Sequence, residues 1–96
     1  MHNNQKFYKV IETQVTANDQ FAVLHTDYTE DQKAQAYANL YQIWASASLN
    51  AGGLQYVCGQ IIEYNHEKAI LLESKVFDYR ESEPEPEPES ESNQEA

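Results

Sequence analysis

Apolar and polar positions alternate along residues 6–16, "KFYKVIETQVT". Phe7, Ile11 and Val15 fall on one side with Lys9 and Thr13 between them, and Tyr8 and Val10 fall on the other. Period two with aromatic and β-branched side chains predicts a strand. "ANDQ" (17–20) supplies the Asn and Asp that make local backbone hydrogen bonds in turns, and "FAVLHT" (21–26) reads as a second strand, so the first two elements form a hairpin.

The period then lengthens. Thr29 with Gln32 three residues on has the spacing of a capping box, and Glu30 and Asp31 suit the positive end of a helix dipole. Tyr37, Leu40, Tyr41, Trp44 and Ser48 recur at helical spacing, and Ile43 and Ala47 widen the stripe. Gly52 and Gly53 are the expected stop, because glycine enters the left-handed region without a Cβ penalty.

Two further strands follow. In "LQYVCGQIIEY" (54–64), Leu54, Tyr56, Cys58, Ile62 and Tyr64 share one side, and Val57 and Ile61 the other. Gly59 inside the run signals a bulge or a close backbone approach. After a tight turn at 65–67, "KAILLESKVFDY" (68–79) places Ile70, Leu72 and Val76 on one side and Leu71, Phe77 and Tyr79 on the other. The order β-β-α-β-β predicts an α+β fold of two layers, a four-stranded antiparallel sheet with one helix packed across a face. One helix covers one face only. Val57, Ile61, Phe77 and Tyr79 are therefore expected on the far face, where a second subunit or a binding partner would cover them.

Charge divides the chain. Of 16 acidic and 6 basic residues, residues 81–96 hold seven acids and no base, which leaves the first 80 residues near −3 of a total of −10. The acidity belongs to the tail, not to a folded surface imitating nucleic acid. "ESEPEPEPESESNQEA" has too little apolar surface to order itself, and its Glu-Pro alternation favours an extended form. The sequence thus divides into one small domain, 1–80, and a disordered acidic tail, 81–96. The tail is either a solubilising bristle or an arm for a basic partner. The single cysteine, Cys58, rules out an intramolecular disulfide and fits a reducing compartment. No apolar leader or membrane-length run is present, so a soluble, cytoplasmic protein is expected.

Chemistry-bearing patterns are few. His2, His25 and His66 have no metal-ligand spacing, and Cys58 sits among apolar neighbours, as a small buried hydrophobe does. Gly52 and Gly53 follow a helix instead of leading into one, so they do not read as a phosphate loop. No cofactor, metal or catalytic set is expected. Tyr37, Tyr41 and Trp44 read as a core seam against the sheet, the alternative being a stacking surface or an interface hot spot. Lysines scattered under a net negative charge argue against direct DNA binding.

Residues 28–78 resemble a group of small phage and prophage proteins of gut bacteria in the pattern of Tyr41, Ile43, Ala45, Ala47, Tyr56, Glu73 and Phe77. The resemblance implies an accessory protein acting inside a bacterial cell. The expected function is non-enzymatic: a homodimer that inhibits or sequesters a host factor, either an anti-defence inhibitor of a host protein or a sponge for a small nucleotide. A structural virion or assembly protein is the alternative. Candidate partner-binding residues are Tyr56, Lys75, Phe77, Tyr79 and Arg80, with Glu83, Glu85, Glu87 and Glu89 of the tail. Lys75 and Arg80 are the candidate anion donors of a sponge.

Overall fold

The computed structural model describes residues 5–50 and 52–80. Strand β1 (Phe7–Val15) turns back into β2 (Phe21–Thr29), a 3-10 turn (Glu30–Gln32) leads into helix α1 (Lys33–Leu49), and β3 (Tyr56–Tyr64) pairs with β4 (Ala69–Asp78). All strand pairs are antiparallel, in the spatial order β2-β1-β3-β4. This is the expected α+β architecture. Because β1 lies between β2 and β3, the connection through α1 must cross β1, and that crossing lays the helix over the middle of the sheet.

Local chemistry sets the helix ends. The Thr29 backbone N–H donates to the Gln32 side chain at 3.0 Å, one arm of the capping box. At the other end the stop comes earlier than the glycines. Asn50 itself takes the left-handed conformation (φ 49°), and its N–H bonds the Ser46 and Ala47 carbonyls. Its side-chain oxygen then accepts the Leu54 N–H at 2.9 Å. Asparagine tolerates this conformation because its short amide bonds the local backbone. The Tyr79 hydroxyl donates to the Ala47 carbonyl at 2.7 Å, so the end of β4 is tied to the last helical turn.

The core lies between α1 and one sheet face. Ala36 and Leu40 of the helix pack with Tyr8, Val10 and Ile61, all buried. Tyr37, Ile43 and Trp44 flank this cluster, whereas Tyr41 and Ser48, expected in the same stripe, face solvent. At Gly59 the helix comes close to the sheet. A Cβ there would stand 2.8 Å from Trp44 Nε1 and 3.0 Å from Ile43 Cγ2, and the indole N–H donates to the Gly59 carbonyl at 3.1 Å. Of the two readings of Gly59, close approach is the one realised.

The bulge lies in β4 instead. The register with β3 slips between Ile61 and Ile62, with Ile61 opposite Glu73 and Ile62 opposite Leu71, which leaves Leu72 as the extra residue. An extra residue reverses strict alternation, since the side-chain period is two. This overturns the expected grouping of β4. Leu72 packs against the helix core, while Val76 pairs across from Cys58 on the opposite face. Val57 and Ile61 are also corrected: both are buried on the helix side, and Phe77 pairs with Val57 there.

Gly59→Ala should destabilise the fold by about 1–3 kcal/mol, the cost of overpacking a site without room. Urea unfolding followed by Trp44 fluorescence measures it.

Candidate functional site

Two surfaces concentrate the candidate residues, and the sheet separates them. On the helix side, α1 and β4 form an aromatic flank. The Tyr37, Tyr41 and Trp44 rings succeed one another with centroids 5.8 Å apart, tilted by 48° and 49°. Spacings of four and three residues place them on adjacent turns. Tyr41 is 54% exposed, whereas Tyr37 and Trp44 are half-buried. The Lys75 ammonium stands 5.2 Å from the Trp44 ring centre and 5.7 Å from that of Phe77. Cation–π attraction holds this lysine over the aromatic surface without neutralising it. Burial first, then the nearby Glu73 carboxylate, raises the Tyr37 hydroxyl above the ordinary tyrosine range, so it stays a neutral donor.

The other surface is the sheet face turned away from the helix. The pairing registers place Phe7, Ile11 and Val15 of β1 there, beside Phe21 and Val23 of β2, Ile62 of β3, and Leu71 and Val76 of β4. Phe7 and Tyr64 stack with centroids 5.6 Å apart. Phe21, Val23, Leu71 and Val76 are 70%, 51%, 54% and 52% exposed. Cys58 lies mid-face, buried, with Sγ 4.0 Å from the Ser74 hydroxyl. His25 is exposed on the same face, opposite Ile11.

At one end of this face, Lys9, Ile62, Tyr64 and Ala69 border the β3–β4 turn, forming an open hollow of about 440 Å³ whose rim carries His66, Glu67 and Lys68. Lys9 is 3.7 Å from Asp27 and 5.7 Å from the Tyr64 ring centre, and the Tyr64 hydroxyl donates to Asp27 at 3.1 Å. Burial, then this bond to a carboxylate, raises the Tyr64 hydroxyl above its usual range.

The sequence-derived candidates are therefore divided. Lys75, Phe77 and Tyr79 lie on the helix side, and Tyr56 and Arg80 on the open side. Tyr79 serves as a tie to the helix end. Lys75 and Arg80 do not converge on an anion site: Lys75 covers Trp44, and Arg80 is bonded to Asp78 and lies 5.0 Å from the Tyr56 ring centre. Glu83, Glu85, Glu87 and Glu89 lie outside the described residues. Sequence reasoning missed Lys9 and Lys68 at the hollow, because strand register and turn geometry bring them together without any motif. Among the described residues no group of three or more His, Cys, Asp or Glu could hold a metal ion, and no helix is long and apolar enough to cross a membrane.

No protein-family model, curated protein or solved structure matches the chain.

Arg80 holds the Asp78 carboxyl down to about 2 through side-chain hydrogen bonds at 2.9 and 2.7 Å, helped by its own backbone N–H. A depressed folded-state value means that the pair's contribution is present above the ordinary carboxylate value and fades as pH falls through about 2. Both side chains are exposed, so the effect on global stability is small. Arg80→Ala should return Asp78 to the ordinary carboxylate range in a carbon-detected NMR titration.

Proposed function

We propose that this protein acts by binding, as a phage accessory protein of the bacterial cytoplasm that captures a host protein on the aromatic flank of α1 and β4 and so inhibits or sequesters it. The observation that carries this reading is the exposed Tyr41 ring, continuous with Trp44 and roofed on one side by the Lys75 cation. Tyrosine and tryptophan beside a cation are the residue types in which binding energy concentrates, since large rigid rings bury much area at small entropic cost. The resemblance to small phage and prophage proteins directs the choice of partner to a bacterial one. The non-enzymatic part of the reading comes from the lack of any sequence constellation for chemistry.

A second reading has its own observation. The hollow beside the β3–β4 turn combines the Tyr64 ring with Lys9, Lys68 and His66, a set suited to stacking a base and meeting a phosphate. This is the nucleotide-sponge version of the same function, with Lys9 and Lys68 replacing Lys75 and Arg80 as anion donors.

Affinity capture from bacterial lysate separates these readings, with the full chain, a chain ending at Arg80, and Tyr41→Ala as baits. A host protein held by the first two and weakened by about tenfold or more in Tyr41→Ala supports the flank. Equal retention by Tyr41→Ala overturns it. A nucleotide lost from Lys9→Ala with Lys68→Ala favours the sponge. If no bait holds a host molecule, the virion or assembly role takes precedence.

A further inference from the structure

The open sheet face carries apolar side chains on all four strands, among polar ones, and one helix is already committed to the other side. We infer that this face is covered by a second copy of the same chain, the two sheets packing face to face with both helices outside.

Area supports this occupant. Four strands about 4.8 Å apart and nine residues long at ~3.4 Å each present roughly 600 Å² in projection. Two such faces give about 1,200 Å², above the ~1,000 Å² that a specific interface needs.

Charge supports it too. Among the described strand positions of this face, formal charge comes from Lys9, Asp27 and Asp78. Each already has a partner within the chain: Lys9 with Asp27 at 3.7 Å, and Asp78 with Arg80 at 2.7 Å. At the strand positions a second copy therefore leaves no charge unpaired beneath it, and a self-complementary interface requires that the face carry no large excess of one sign. Residues 1–4, 51 and 81–96 offer little apolar surface as an alternative occupant: Met1, Ala51, Ala96 and, between glutamates, Pro84, Pro86 and Pro88.

Edge pairing is the competing way to join two copies. The β2 edge carries neither proline nor lysine to block it. Edge pairing alone would extend the sheet and leave Phe21, Val23, Leu71 and Val76 in water. Face packing removes them.

Sedimentation velocity of the full chain should give twice the 11.0 kDa chain mass. Val23→Glu with Val76→Glu replaces side chains already half exposed in one copy, so the fold should survive by circular dichroism. In the dimer it would bury four carboxylates and weaken association by about 100-fold or more. Leu49→Glu, on the helix and 79% exposed, should leave the mass unchanged. Independently of any substitution, amide shifts that change on dilution should map to open-face residues. A monomer at high micromolar concentration overturns the inference, as does a dimer indifferent to the paired substitution or shifts confined to the backbone of β2. Capture through Tyr41 is read in a separate assay, so a monomer that still holds a host protein removes the dimer and leaves the flank standing.

Discussion

A sheet of four strands has two faces, and among the described residues one α-helix is there to cover them. The sheet is about 19 Å wide, whereas a helix with its side chains spans ~10–12 Å. That mismatch dictates the rest. The helix sits over the central strands β1 and β3, where Tyr8, Val10, Val57 and Ile61 become the core. Toward the edges the same face thins out, so Leu24 on β2 and Ile70 on β4 remain half exposed. Among the described residues, none packs on the opposite face.

The helix sits close because Gly59 has no side chain. Without a Cβ on this central strand, the Trp44 indole rests on the backbone and donates to the Gly59 carbonyl. Trp44 in turn positions Tyr41 and underlies Lys75. The core contact and the exposed aromatic flank are therefore one mechanical unit: the glycine that packs the core also sets where the solvent-facing rings lie.

Much of this was legible in the sequence. The hairpins and the helix start at Thr29 and Gln32 follow from local chemistry that each segment carries with it, whereas Gly59 signals a bulge or a close approach without saying which. The faces of β4 did not. "ILLES" holds three consecutive apolar residues, and alternation cannot tell which of them is extra. Only the register against β3 identifies Leu72, and every residue from Glu73 onward changes face relative to the residues before it. That slip parts Phe77 from Leu71, and pairing with Val57 puts Phe77 on the helix side; which face of β3 the helix covers, and so the side of Val57 and Ile61, is not set by alternation within a strand. Asn50 escaped notice because Gly52 and Gly53 offer the stronger stop signal nearby, yet the helix has already ended at Leu49. The hollow joining Lys9 to Lys68 was not legible, since nothing in sequence links residues separated by most of the domain.

The acidic segment and the apolar face have opposing effects on association, and this ties the composition to the fold. An uncovered sheet face attracts any other apolar surface, including wrong ones. Residues 81–96 place seven negative charges on each chain. Like charge opposes indiscriminate clustering over roughly a Debye length, ~8 Å at physiological salt, while apolar contact acts at van der Waals range. Only an interface that matches over a large area overcomes the repulsion. Rising ionic strength screens the charges and leaves the apolar attraction in place, so self-association through this face should strengthen with salt. An arm docking on a basic partner has the opposite dependence. Ionic strength thus separates the two roles open to the tail: a bristle that tempers an apolar face, or a ligand in its own right.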